Sequence, residues 1–353
     1  MIKRRIVKMP DIKSAHIIFH LTNDCPNKCI HCYNCSGKRS EFELSFQEIQ
    51  SLHKTLRDRY EKIVLILSGG EPTLRDDLRD IITLFGEDKK FSLSIFSQSA
   101  RLIEYKDLLK KYRIGNNITI SGMEETHNMI MGRSDAWADA MKLIEEFHYS
   151  VRIFVHKRNL QEAQEIAKLL KDFDYKRVEV AMPVKCGRGA NMELPTNEEF
   201  WEFIKILQSS GLKVKKEKIT VQKALNAKLN IFLAMLFRLF AKRLLSDYVI
   251  DARGILNNRK MGYCLLQYAS QFVDVLDISS TGDVSSSCCF AVDNPLFYAG
   301  NILVDDWEKI RSFKPKFNYH LIREKFGNKV MSHTMDGCTL CIQCWPGENF
   351  VIK

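Results

Sequence analysis

Six short apolar runs alternate with helix-patterned segments before residue 200, and that order demands crossover connections. The runs are HIIFHL (16–21), KIVLILS (62–68) and those near 92–97, 116–121, 151–155 and 178–183. Amphipathic stretches lie between them at 45–60 and near 76–86, 102–112, 136–148 and 160–172. Strands joined through helices pair in parallel, with the helices laid over the sheet. The fold class is therefore α/β. Six β/α units fall short of the eight that close a barrel. At 353 residues and 45% hydrophobic, the chain can also bury a second modest core.

Directly after the first run comes LTNDCPNKCIHCYNC, with Cys25, Cys29 and Cys32 spaced by four and three residues. Three thiolates on one loop can hold a cuboidal iron–sulfur cluster and leave its fourth iron without a protein ligand. An iron with an open position can bind a substrate or cofactor, whereas four-cysteine clusters mainly carry electrons. The competing assignment is a zinc knuckle completed by Cys35 or His31. The second apolar run closes on Gly69-Gly70-Glu71-Pro72, where the absence of Cβ atoms permits close approach to the backbone.

The triad, the ring of His31 before its third cysteine and the GGEP turn together resemble the radical S-adenosylmethionine (SAM) superfamily. That resemblance implies a partial (β/α)6 TIM-like barrel with its chemistry at the C-terminal strand ends. It implies a [4Fe–4S] cluster on Cys25, Cys29 and Cys32 whose free iron chelates SAM. Reductive cleavage then yields a 5′-deoxyadenosyl radical that abstracts hydrogen from substrate, fed by a flavodoxin- or ferredoxin-type electron donor. Gly69, Gly70, Glu71 and Pro72 would lie along the methionine end of SAM, with Glu71 holding the loop. ITISGMEETHNMIMGRSDAWADAM, VHKRNL and PVKCGRG resemble the later strand ends of the family. They nominate Ser97, Gln98, Thr119, Ser121, Arg152 and Asn159 as cofactor contacts, with His31, and Met182 beside the adenine. Two departures, Ser121 for Asp and Met131 for Arg, alter the polar contacts expected there. Cys186 reads as a plain thiol.

Cys264, Cys288, Cys289, Cys338, Cys341 and Cys344 crowd the end of the chain. Their layout, with TGDVSSSCC and CTLCIQCW, resembles the SPASM and twitch auxiliary-cluster extensions. A full SPASM pattern needs about seven cysteines, so the resemblance implies one auxiliary [4Fe–4S] cluster. Its expected ligands are Cys264, Cys288, Cys338 and Cys341, with Cys289 or Cys344 as alternates. A zinc ribbon is the rival. Disulfides suit neither a cluster enzyme nor a chain without a visible signal peptide. A base for net oxidation is sought among Asp274, Asp277 and Asp283, with Asp283 the nominee.

The expected organisation is a barrel at 1–212, a connector at 213–260 and a small cysteine-rich auxiliary-cluster domain at 261–353. The net charge is +10, and the connector carries twelve Lys/Arg against Glu217, Asp247 and Asp251. Its apolar stretch is too short and too charged to span a bilayer. Residues 229–246 read as a buried capping helix, a helix on anionic lipid or one for a partner. Basic residues interleaved with Leu, Ile and Phe rather than stacking platforms argue against nucleic acid. The expected location is cytoplasmic, and peripheral at the inner membrane surface if that helix meets lipid. Resemblance to SPASM and twitch enzymes implies modification of a ribosomal peptide or protein side chain. The alternative is a small-molecule oxidoreductase of cofactor, antibiotic or lipid-linked sugar biosynthesis, and the third reading is a non-catalytic metal-binding scaffold. The first run starts near Ala15 after the basic lead MIKRRIVK, so a leader-bearing substrate implies a separate peptide-recognition protein.

Overall fold

The computed structural model describes residues 13–183, 187–216, 249–250, 256–257, 274–286 and 298–312. Cys186, residues 229–246 of the connector and the cysteines from Cys264 to Cys344 lie outside the described residues. Seven strands follow the chain in parallel order: β1 (Ser14–His20), β2 (Lys62–Ser68), β3 (Phe91–Ile95), β4 (Gly115–Ile120), β5 (Ser150–Phe154), β6 (Arg177–Ala181) and β7 (Lys213–Lys216). Between them run α1 (Phe46–Arg59), α2 (Leu78–Gly86), α3 (Lys106–Lys111), α4 (Glu124–Met131), α5 (Ala136–Glu146), α6 (Ala163–Asp172) and α7 (Asn197–Ser209). A separate unit carries the two-stranded pair β8 (Val249–Ile250) and β9 (Leu256–Asn257).

The unit that holds the triad comprises residues 11–217 and 274–314. In it β10 (Asp274–Ile278) lies parallel to β1, with Ile17 opposite Leu276 and Ile18 opposite Asp277. The antiparallel strands β11 (Asp283–Ser286) and β12 (Tyr298–Asn301) and the short helix α8 (Trp307–Ser312) follow. The sheet order is β12-β11-β10-β1-β2-β3-β4-β5-β6-β7, with an edge at each end. The hairpin around SSTGDV, grouped by sequence with the cysteine-rich extension, here extends the barrel sheet.

Local chemistry accounts for the helices. Ser45 accepts the Glu48 N–H while the Glu48 carboxylate accepts the Ser45 N–H at 2.7 Å, a reciprocal cap that starts α1. Thr196 and Glu199 do the same for α7. Along the strands, side chains alternate between two faces. Ile17, Phe19, Ile63, Leu65, Leu67, Ile118, Ile120, Val151 and Ile153 are buried in the core shared with the helices. The opposite face carries His16, His20, Ser68, Asn117, Thr119, Arg152 and Glu179, and Val64 there is 40% exposed. A parallel sheet covered on both sides reads as continuous apolar runs. This one keeps a polar inner face at the strand ends.

Candidate functional site

The loop after β1 carries the triad and is bracketed on three sides by backbone. The first bracket continues the β1–β2 pairing. The Gly70 N–H donates to Thr22 O at 2.7 Å and the Glu71 N–H to Asp24 O at 2.7 Å. A Cβ on Gly69 would stand 2.4 Å from Thr22 O, and one on Gly70 2.1 Å from Asp24 O. The close approach that these glycines permit is thus made by the cysteine loop itself. The second bracket is the C-terminus of α4, whose otherwise unpaired carbonyls accept from the loop: Lys28 N–H to Met131 O at 3.0 Å and Ile30 N–H to Ile130 O at 2.9 Å. Arg133 adds a bond from Nε to Asn27 Oδ1 at 2.7 Å. The third is the turn after β6, where the Arg188 N–H meets Cys32 O at 3.0 Å.

Cys25, Cys29 and Cys32 are free and partly buried, and Cys35 is exposed. Burial pushes the Cys25 thiol up to about 11, partly offset by a hydrogen bond from the Asn27 backbone. Cys29 rises to about 12, through burial first and then the charges of Cys25 and Cys32. The three thiols therefore lie within electrostatic reach of one another. Such a set resists ionisation unless cationic metal offsets the charge. Among the described residues, no three His, Cys, Asp or Glu side chains are grouped to hold a single metal ion. A tetrahedral zinc would need a fourth ligand beside the three thiols, and His31 packs against Phe154 and His156. A cuboidal cluster takes one thiol on each of three irons, which is the donor set this loop offers.

His31 turns from this loop toward the sheet, its ring 5.1 Å from Phe154 and 5.0 Å from His156. Burial lowers the two imidazoles to about 4 and about 3, so both are neutral near pH 7. Nδ1 of His31, Nε2 of His156 and Oγ of Ser121 are buried without a hydrogen-bond partner among the described residues. Such orphaned polar atoms beside the thiols suit a polar cofactor.

Other nominated residues are occupied in holding the strand ends. The Glu71 carboxylate is buried and accepts from Thr73 N–H at 3.1 Å, Thr73 Oγ1 at 2.8 Å, Ser97 Oγ at 2.7 Å and Gln98 N–H at 3.0 Å. Burial still raises its pKa. Pro72 opens the 3-10 turn that Glu71 caps. The β3–β4 ladder has only two residue pairs, and side chains splint the strands where it ends. Gln98 Oε1 accepts Thr119 N–H at 2.7 Å, and its Nε2 donates to Asn117 O at 2.8 Å. Asn159 ties β4 to β5 by donating to Ser121 O at 3.0 Å and Phe154 O at 2.8 Å. Arg152 pairs with Glu179 at 3.1 Å, over the ring of Phe96. Thr119 is buried on the inner face, and Met182 is half-buried just after β6.

Asp283 opens β11, accepting from Thr281 Oγ1 at 2.8 Å and Asn301 Nδ2 at 2.9 Å. Of the three aspartates weighed as a base, Asp277 meets a buried histidine instead: His20 Nε2 lies 2.7 Å from its Oδ1 and 3.5 Å from the Tyr33 hydroxyl. His20, His127, His156, Arg133 and Arg188 were not singled out by sequence. His20 and His156 carry a readable signal, a polar residue facing inward at the end of an apolar strand.

Residues 19–170 match the family model described as "Radical SAM superfamily". Curated relatives include Fe-coproporphyrin III synthase of Methanosarcina barkeri, 28% identical over 190 residues (51% of this chain, 47% of that protein). The antilisterial bacteriocin subtilosin biosynthesis protein AlbA of Bacillus subtilis is 25% identical over 193 residues (52% and 42%). The chain spans about half the length of these relatives. Among solved structures, Streptococcus suis SuiB bound to S-adenosylmethionine superposes with a TM-score of 0.56 at 15% identity (86% of this chain, 67% of that one). Polyhistidine-tagged anSMEcpe with bound AdoMet gives 0.57 at 15% (86% and 78%). The shared property at that identity is the fold.

Proposed function

We propose that this radical SAM superfamily domain works as an enzyme that cleaves SAM reductively and modifies a ribosomal peptide or protein side chain. The observation that carries it is the placing of Cys25, Cys29 and Cys32, free and partly buried, on one loop clamped by the turn after β2, the end of α4 and the turn after β6. A [4Fe–4S] cluster on these thiols supplies, when bound, the electron that breaks the sulfonium bond and starts hydrogen abstraction from substrate. The protein's part is positional. Glu71 and Gln98 fix the strand ends, and His31 and His156 present neutral polar edges.

Likeness to AlbA supports a peptide substrate, and a 28% identity to Fe-coproporphyrin III synthase favours a second reading, a small-molecule substrate. An auxiliary cluster on Cys264, Cys288, Cys338 and Cys341, a flavodoxin- or ferredoxin-type donor and a separate peptide-recognition protein belong to the same proposal. Contact of 229–246 with a membrane surface is a further part of it. No helix among the described residues is long and apolar enough to cross a membrane.

Anaerobic reconstitution with iron, sulfide, SAM and dithionite tests the reading. The expected product is 5′-deoxyadenosine, from protein holding about eight irons as two [4Fe–4S] clusters. Replacing Cys25, Cys29 and Cys32 with Ala is expected to abolish cleavage. Replacing Cys338 and Cys341 is expected to lower the iron content but leave some uncoupled cleavage. Protein that takes up zinc and no iron contradicts the proposal.

A further inference from the structure

Arg188 stands in the 3-10 turn Gly187–Gly189 beyond β6 and reaches back across 159 residues of sequence to Cys29. Its backbone N–H donates to Cys32 O at 3.0 Å, its Nε to Cys29 O at 2.9 Å and its Nη1 to Ser36 O at 2.6 Å. A Cβ on Gly187 would stand 2.4 Å from both Cys32 O and Tyr33 O, so the turn is seated directly on the loop backbone. One residue thus binds three carbonyls of the ligand loop, and two of those bonds fix the guanidinium in place. Its charge acts on Cys25, Cys29 and His31. A guanidinium stays cationic at any pH the protein survives.

We propose that Arg188 is a positioning residue that sets the reduction potential of a [4Fe–4S] cluster on Cys25, Cys29 and Cys32, by pinning a permanent positive charge against the loop. The inference rests on the cluster reading above. One-electron reduction by a low-potential donor adds one negative charge to the cluster. A fixed cation nearby stabilises the reduced form more than the oxidised one and raises the potential. Iron–sulfur potentials respond to net charge and hydrogen bonding in this way. Lysine at 188 keeps the charge and loses the planar fork; glutamine keeps donors and loses the charge.

The test is an EPR-monitored redox titration of the full chain, reconstituted anaerobically and reduced with dithionite. The signal to follow is the one missing from the variant in which Cys25, Cys29 and Cys32 are Ala. Arg188→Gln is expected to move its midpoint to more negative potential, lowering the reduced-to-oxidised ratio at fixed potential about tenfold, or about 59 mV. Arg188→Lys is expected to stay near the unaltered protein. Equal midpoints for Arg188→Gln and the unaltered protein overturn the inference. So does a Lys variant that shifts as far as Gln, or failure of both variants to take up iron, which makes the residue architectural. If the unaltered protein forms no such cluster, the cluster reading itself falls and takes this inference with it.

Discussion

Glu71 shows how a motif residue can be legible in identity and opaque in detail. The GGEP string marked it as a loop holder, and its four accepted hydrogen bonds fit that part. That two of the donors are Ser97 and Gln98, both nominated to touch a cofactor, is a tertiary fact. It depends on β3 and β4 parting after two residue pairs, which no local pattern announces. The buried histidines make a prediction at the same scale. His127, lowered to about 4 by burial first and then by His31 and Arg133, accepts the Ser121 N–H at 3.1 Å. Its folded pKa lies below the unfolded value near 6.5, as do those of His31 and His156. The unfolded chain then binds more protons in that window, so stability is fully present above pH 6.5 and falls as pH drops toward 4. The three shifts act in the same direction and on one another, so together they are expected to lower stability by on the order of a few kcal/mol between pH 7 and pH 5. Urea unfolding of the metal-free protein at pH 7 and pH 5 measures this. His127→Gln should narrow the gap, and equal stability at the two pH values contradicts the account.

At the scale of elements, β1 to β6 were readable because each is a short, largely apolar run set between helical segments. The strand β7, with sequence KVKK, was not, since an edge strand needs little apolar surface. Helix α4 has only eight residues, EETHNMIM, and weak amphipathicity. Helix α7 was missed although its Thr196–Glu199 cap is a sequence signature. Pairing of β10 with β1 joins segments more than 250 residues apart, and sequence periodicity carries no information about such a partner. The β2 loop offers the sharpest test of element packing. Gly70→Ala inserts a Cβ about 2.1 Å from Asp24 O, so the cysteine loop must move. Far-UV circular dichroism should be retained while most iron uptake is lost. Uptake equal to that of the unaltered protein shows that the loop is not held by this contact.

For the whole molecule, the sheet divides its labour by face. One face shares a core with the helices; the other keeps His20, Asn117, Arg152 and Glu179, and His20 there reaches Tyr33 of the cysteine loop. Composition and periodicity reach the first face, whereas the second becomes meaningful only once the strands are in register. The three brackets on the cysteine loop come from β2, α4 and the turn after β6, so the site exists only in the folded barrel. The central claim is that Cys25, Cys29 and Cys32 hold a cluster with one iron left open to SAM. EPR of the reduced, reconstituted protein before and after addition of SAM tests it most directly. The account predicts a signal that is absent when the three cysteines are Ala and that changes shape when SAM is added; a spectrum unaltered by SAM contradicts it.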